Sequence, residues 1–121
     1  ARILIVDDSP TDVRVLTGML ERAGHQVSSA ASAEDGIARA RQELPDLILM
    51  DVIMPGTNGF QATRTLSRDP DTSHIPVIIC TTKNMETDRI WGMRQGAKDF
   101  ITKPPAARDL VARIQSLLKA S

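Results

Sequence analysis

Five times along its length the chain passes from a short β-rich run to a stretch with helical spacing, and few folds accept that rhythm. The runs are "RILIV" at 2–6, "QVSSA" at 26–30, "DLILM" at 46–50, "IPVIIC" at 75–80 and "DFIT" at 99–102. Three of them are nearly continuous apolar stretches, as strands buried on both faces require. The expected product is an α/β domain, a parallel sheet with helices on both faces. At 121 residues the chain fits one domain, residues 1–121, with no internal linker, low-complexity segment or longer repeat.

The helical stretches carry their own punctuation. Ser9 before Pro10 predicts an N-cap and a first-turn proline, and the stripe Val13, Leu16, Leu20 and Ala23 stops at Gly24. Ser32 and Asp35 resemble a capping box opening the second helix. A third helix is expected over about 59–68 and a fourth over about 85–95, closing at Gly96. The last has the cleanest period, with Leu110, Val111, Ile114, Leu117 and Leu118 on one face.

Composition excludes several classes. Hydrophobic residues at 41% and charged residues at 25% are too balanced for a disordered chain. No apolar run is long enough to span a bilayer, and the stretch from Ile3 stops at Asp7, so neither membrane insertion nor a signal peptide is expected. A cytoplasmic protein is the expectation. The single cysteine, Cys80, reads as a small buried hydrophobe. Net charge is zero, yet residues 1–60 hold nine acids against five bases and residues 61–121 hold six against ten. The basic residues are scattered and no nucleic-acid-binding motif accompanies them, so no nucleic-acid partner is expected.

In an open α/β sheet the binding crevice lies beyond the carboxyl ends of the strands. The first strand delivers Asp7 and Asp8 there, the third Asp51, the fourth Thr81 and Thr82, and the fifth Lys103. Singly, each is an ordinary loop residue; together they are a cluster. Two carboxylates about 5 Å apart repel by roughly 3 kcal/mol at an effective dielectric of about 20, so three pairs approach about 10 kcal/mol. Lys103 offsets part of that. A divalent cation offsets more, and an all-oxygen site with room for water suits Mg²⁺. With a cation present, Asp51 can attack phosphorus and become an aspartyl phosphate while Thr81 and Lys103 hold phosphoryl oxygens. Pro55, Gly56 and Gly59 turn the chain sharply after Asp51 and keep that face open.

The segments "ILIVDDS", "LMDVIMPGTNG", "VIICTT" and "DFITKP" resemble, in order and over essentially the whole chain, the receiver domain of two-component response regulators. The resemblance implies a flavodoxin-like (βα)5 doubly wound fold with a five-stranded parallel sheet in the order 2-1-3-4-5. It assigns Asp7, Asp8, Asp51 and the backbone carbonyl of Ile53 to Mg²⁺, Asp51 to phosphoryl acceptance, and Thr81 and Lys103 to the phosphoryl group. It implies a cis peptide between Lys103 and Pro104. It makes the partners a sensor histidine kinase or its phosphotransfer domain, and a downstream protein met through the fourth helix, fifth strand and fifth helix.

Phe100 occupies the place where receivers carry a switch aromatic, and phosphorylation would then move Thr81 and Phe100 together. A plain core phenylalanine is the alternative. The segment "TTKNMETDRIWGMRQGAKDFITKP" resembles single-domain receivers of type IV pilus twitching-motility pathways, which are related to chemotaxis receivers. Trp91 lies near the implied output face, as packing or as a partner contact. Three positions depart from common receivers: Ile53 is apolar beside the acceptor, Lys83 adds a cation, and Pro105 removes a backbone donor. His25 and His74 read as surface polar residues.

Other functions remain open at this point. Aspartate-nucleophile phosphohydrolases use a second acid two residues after the nucleophile, and here that place is Ile53, so turnover of external phosphoesters is not expected. A phosphate sink for a shared kinase, a phosphorylation-independent docking module and a receiver fragment of a larger regulator are the remaining alternatives.

Overall fold

The computed structural model describes residues 1–119. Its strands are β1 (Arg2–Val6), β2 (Gln26–Ala30), β3 (Leu47–Met50), β4 (Val77–Thr81) and β5 (Asp99–Thr102). The helices are α1 (Pro10–Arg22), α2 (Ala33–Glu43), α3 (Gly59–Arg68), α4 (Glu86–Arg94) and α5 (Ala107–Lys119). The strands form one parallel sheet in the order β2-β1-β3-β4-β5.

Alternation along each strand divides the core into layers. Ile3, Ile5, Leu47, Leu49, Ile78, Cys80 and Ile101 pack on one side with Leu16 and Leu20 of α1 and Leu110 and Ile114 of α5. Leu4, Val6, Ile48, Met50 and Val77 pack on the other with Ala33 and Ala40 of α2 and Ala62 and Leu66 of α3. Register keeps like with like: Ile3 sits opposite Leu47 and Ile5 opposite Leu49. A third cluster of Val52, Ile79, Ala97 and Phe100, with half-buried Phe60, lies beside α4.

The caps follow the sequence signals. Asp12 N donates to Ser9 Oγ at 3.3 Å, and Asp35 N donates to Ser32 Oγ at 3.1 Å. Asn58 caps α3 by accepting from Gln61 N at 3.0 Å. α4 has Met85 at its N-cap and no side-chain hydrogen bond there.

Boundaries differ from the sequence expectation in places with local causes. β3 opens at Leu47; just before it, Asp46 N donates to Arg2 O at 2.8 Å while the Asp46 carboxylate accepts from Arg2 N at 2.8 Å. β4 begins at Val77 instead of 75, since Pro76 has no N–H to place in a ladder. The Pro76 carbonyl still accepts from Ile48 N at 3.0 Å. α4 is one residue shorter at each end than expected, with Met85 and Gln95 as its caps. Cys80 is buried within the layer facing α1 and α5, where it packs as a small hydrophobe, and burial pushes its thiol up to about 12.

His25 is a correction: both of its ring nitrogens are buried without a hydrogen-bond partner among the described residues, and burial lowers its pKa. No helix among the described residues is long and apolar enough to cross a membrane.

Candidate functional site at the carboxyl rim of the sheet

β1 ends at Val6, so Asp7 and Asp8 are the first residues beyond it; Asp51 follows the last residue of β3. Backbone hydrogen bonds fix both exits. Asp7 N donates to Ala30 O at 3.0 Å and Asp51 N donates to Val6 O at 2.9 Å. One carboxylate oxygen from each of Asp7, Asp8 and Asp51 lies within 4.8 Å of the others. Asp7 and Asp51 are buried and Asp8 is exposed, so the cluster is closed beneath and open above.

The loop after Asp51 is shaped around it. A Cβ on Gly59 would stand 2.0 Å from the Asp51 carbonyl oxygen, so only glycine lets α3 begin this close to the acid. Ile53 N donates to Asp51 Oδ1 at 3.2 Å. The Ile53 side chain itself is 47% exposed and lines, with Asp8, Asn58, Phe60 and Lys83, an open cleft of roughly 590 Å³. Lys83 faces that cleft with its ammonium 3.8 Å from Asp88.

Lys103 arrives from beyond β5, its N–H donating to Thr81 O at 2.7 Å and its peptide to Pro104 cis, as the family resemblance implied. Its ammonium donates to Asp7 Oδ2, to Asp12 Oδ2 at 2.9 Å and to Asp51 Oδ2 at 3.4 Å. Burial alone would depress the Lys103 pKa. The hydrogen bonds to Asp7 and Asp12 and the charge of Asp51 outweigh it and hold the ammonium above the ordinary lysine range. Asp7 moves upward as well, because burial outweighs the hydrogen bonds it accepts from Lys103 and from Ser9 N at 2.9 Å.

Thr81, the last residue of β4, is fully buried, and its Oγ1 accepts from Lys83 N at 3.4 Å. Phe100 is 7% exposed and lies inside the third cluster against Phe60. Trp91 is half exposed on α4.

Asp7, Asp8, Asp51 and Lys103 meet at this edge, and Thr81 lies at the end of the neighbouring strand, where its carbonyl accepts from Lys103 N. Sequence reasoning missed Asp12, which sits in the first turn of α1. An acid there already has a local explanation in the helix dipole, so nothing in the spacing singles it out. It also missed Glu34, which reaches from α2 to accept from Thr57 N at 3.3 Å in the loop after Asp51.

Three carboxylates with one open side form a donor set for a hard divalent cation, and the lysine beside them supplies a site for an anion. Such a rim on a parallel 2-1-3-4-5 sheet defines a phosphoacceptor class of α/β domain. The chain matches the response regulator receiver domain family over residues 3–115 and belongs to it.

It is 60% identical over 118 residues to Protein PilH of Pseudomonas aeruginosa, covering 98% of each chain. It is also 45% identical over 119 residues to the response regulator PleD of Caulobacter vibrioides, where it covers 98% of this chain but 26% of the relative. Among solved structures, a putative response regulator from Chloroflexus aurantiacus superposes with a TM-score of 0.93 at 32% identity, covering 98% of this chain and 97% of the other. The chemotaxis protein CheY4 of Vibrio cholerae gives 0.89 at 27% identity, covering 97% and 98%. The chain is thus homologous to PilH and to chemotaxis-type receivers, a domain of phosphorylation-dependent signalling.

Proposed function

We propose that Asp51 accepts a phosphoryl group from a histidine kinase or its phosphotransfer domain, with Mg²⁺ held by Asp7, Asp8, Asp51 and the Ile53 carbonyl. The observation that carries this is the meeting of three aspartates within 4.8 Å beside a buried lysine. Mg²⁺, when bound, neutralises the carboxylates and the equatorial phosphoryl oxygens. The chain's own residues do the rest. Asp51, fixed through Ile53 N, offers a carboxylate oxygen to phosphorus; the phosphohistidine P–N bond breaks and its electron pair leaves with the imidazole. Lys103 balances the added charge, and the buried Thr81 hydroxyl supplies a hydrogen bond to the phosphoryl group.

Signal output runs through the surface of α4, β5 and α5, where a cleft of roughly 330 Å³ is lined by Met85, Arg89, Phe100, Pro105 and Arg113. Movement of Thr81 and Phe100 changes that surface, and half-exposed Trp91 contributes to partner contact. The near full-length similarity to PilH and the twitching-motility resemblance of the α4–β5 segment favour control of type IV pilus motility or chemotaxis. A cytoplasmic location accompanies this reading, because histidine kinases present their phosphohistidine there. The chain is a phosphoacceptor and not an enzyme acting on external phosphoesters, since apolar Ile53 stands where a hydrolase needs its acid.

The test is incubation with Mg²⁺ and acetyl phosphate followed by intact mass. A hydroxylamine-labile phosphoryl adduct that Asp51→Asn lacks supports the proposal. No adduct, or steady phosphate release from unrelated phosphomonoesters, contradicts it.

A further inference from the structure

Asp12 lies outside the aspartate trio, yet its carboxylate reaches from α1 to Lys103. The 2.9 Å from Nζ to Asp12 Oδ2 is shorter than the 3.4 Å from the same nitrogen to Asp51 Oδ2. The Lys103 side chain is only 6% exposed, and the three donors of its ammonium are matched by three carboxylates, those of Asp7, Asp12 and Asp51. Asp12 is itself held in place: its backbone N–H bonds to the Ser9 cap, in the first turn of α1.

These three acceptors do not fare alike during phosphoryl transfer. Formation of the acyl phosphate, a mixed anhydride, removes the charge from the Asp51 carboxylate and so frees the longest of the three bonds. Asp7, as a ligand of a bound cation, would share its charge with that ion and hold the ammonium less strongly. Asp12 is outside both events and keeps its full charge.

We propose that Asp12 is a positioning residue that anchors the Lys103 ammonium, so that the donor released by Asp51 stays aimed at the phosphoryl group instead of swinging away with the side chain. This rests on Asp51 being the phosphoacceptor. It adds an anchor on α1 to the lysine's work and makes the rate of phosphorylation depend on a residue that touches neither the cation nor the phosphoryl group.

The experiment compares wild type, Asp12→Ala and Asp12→Asn by timed intact mass over a series of acetyl phosphate concentrations in saturating Mg²⁺, with melting temperatures measured alongside. Asp12→Ala should lower the maximal labelling rate about fivefold, the factor one partly exposed charge-assisted hydrogen bond supplies. The donor concentration at half-maximal rate should not rise. Asp12→Asn keeps an acceptor of the same shape and should recover at least half of the loss, which general loosening of α1 would not allow. Labelling of Asp12→Ala at or above the wild-type rate overturns the proposal, as does Asp12→Asn labelling no better than Asp12→Ala. If Asp12→Ala does not fold, Asp12→Asn decides alone: a rate modestly below wild type supports the anchor, and an unchanged or raised rate removes it. Wild type that takes up no phosphoryl group fails the phosphoacceptor reading itself and takes the anchor with it; a labelled wild type with an indifferent Asp12 fails the anchor alone.

Discussion

α3 and α4 are neighbours flanking the proposed phosphoacceptor site, but they are built to different standards. α3 is capped by Asn58, buries Gly59, Ala62, Thr63 and Leu66, and returns the Thr63 hydroxyl to the Gly59 carbonyl at 2.8 Å. α4 has no side-chain cap and buries only Gly92 among its residues, leaving Ile90, Trp91 and Met93 substantially exposed. A helix held by buried apolar contacts and caps opens rarely, whereas one lacking them belongs to the low-stability end of the molecule. The contrast fits the proposed division of labour, in which α3 holds the backbone around Asp51 still and α4 responds.

The largest effect should come from breaking the rigid side. Gly59→Ala places a Cβ against the Asp51 carbonyl oxygen, a backbone atom that cannot turn aside. Urea denaturation should show a loss of about 3 kcal/mol or more, accompanied by loss of phosphorylation. Leu66→Ala, which removes a side chain 1% exposed, should cost about 2–5 kcal/mol in the same assay. Trp91→Ala on α4 should stay within about 1 kcal/mol of wild type. An equal cost for the last two substitutions would erase the contrast.

Gly92→Ala is a subtler probe. Its Cβ would meet Ile79 Cδ1 at 2.6 Å, with Phe100 and Phe60 at 3.4 Å, but the nearest atom is the end of a flexible side chain. The usual gain of about 1 kcal/mol for replacing helical glycine by alanine should therefore disappear or reverse. A more stable variant in thermal melts would mean that α4 is not seated on that cluster.

The smallest effect concerns Glu34, whose hydrogen bonds with Thr57 hold its pKa below the usual glutamate value. A depressed carboxylate contributes stability that is present above the unfolded value near 4.5 and is lost as pH falls through the folded value. Glu34→Gln should thus melt slightly below wild type at neutral pH, and the gap should close on acidification. A gap that widens in acid would give the wrong sign.

The strands, most helix ends and the rim residues were legible because each has a local signature: an apolar run, a cap, or a polar residue directly after a strand. Convergence of Asp7, Asp8, Asp51, Thr81 and Lys103 followed from the parallel alternation alone, since all parallel strands deliver their next residue to one edge. Asp12 and Glu34 were hidden because both sit in first helical turns, where acids have a sufficient local reason to be. Their partners lie far along the chain and are chosen by packing. Lys103 reaches both Asp7 and Asp51, so the least compensated of the three acids is exposed Asp8.

The most direct measurement is hydrogen exchange followed by mass spectrometry on the wild type and Asp51→Asn, each with Mg²⁺, with and without acetyl phosphate. Peptides over 86–94 should exchange faster than those over 59–68 at rest, and phosphorylation should change exchange in the former while sparing the latter, in wild type only. Equal protection of both segments at rest, or a phosphoryl-dependent change confined to 59–68, would contradict the division between a rigid mount and a responsive helix.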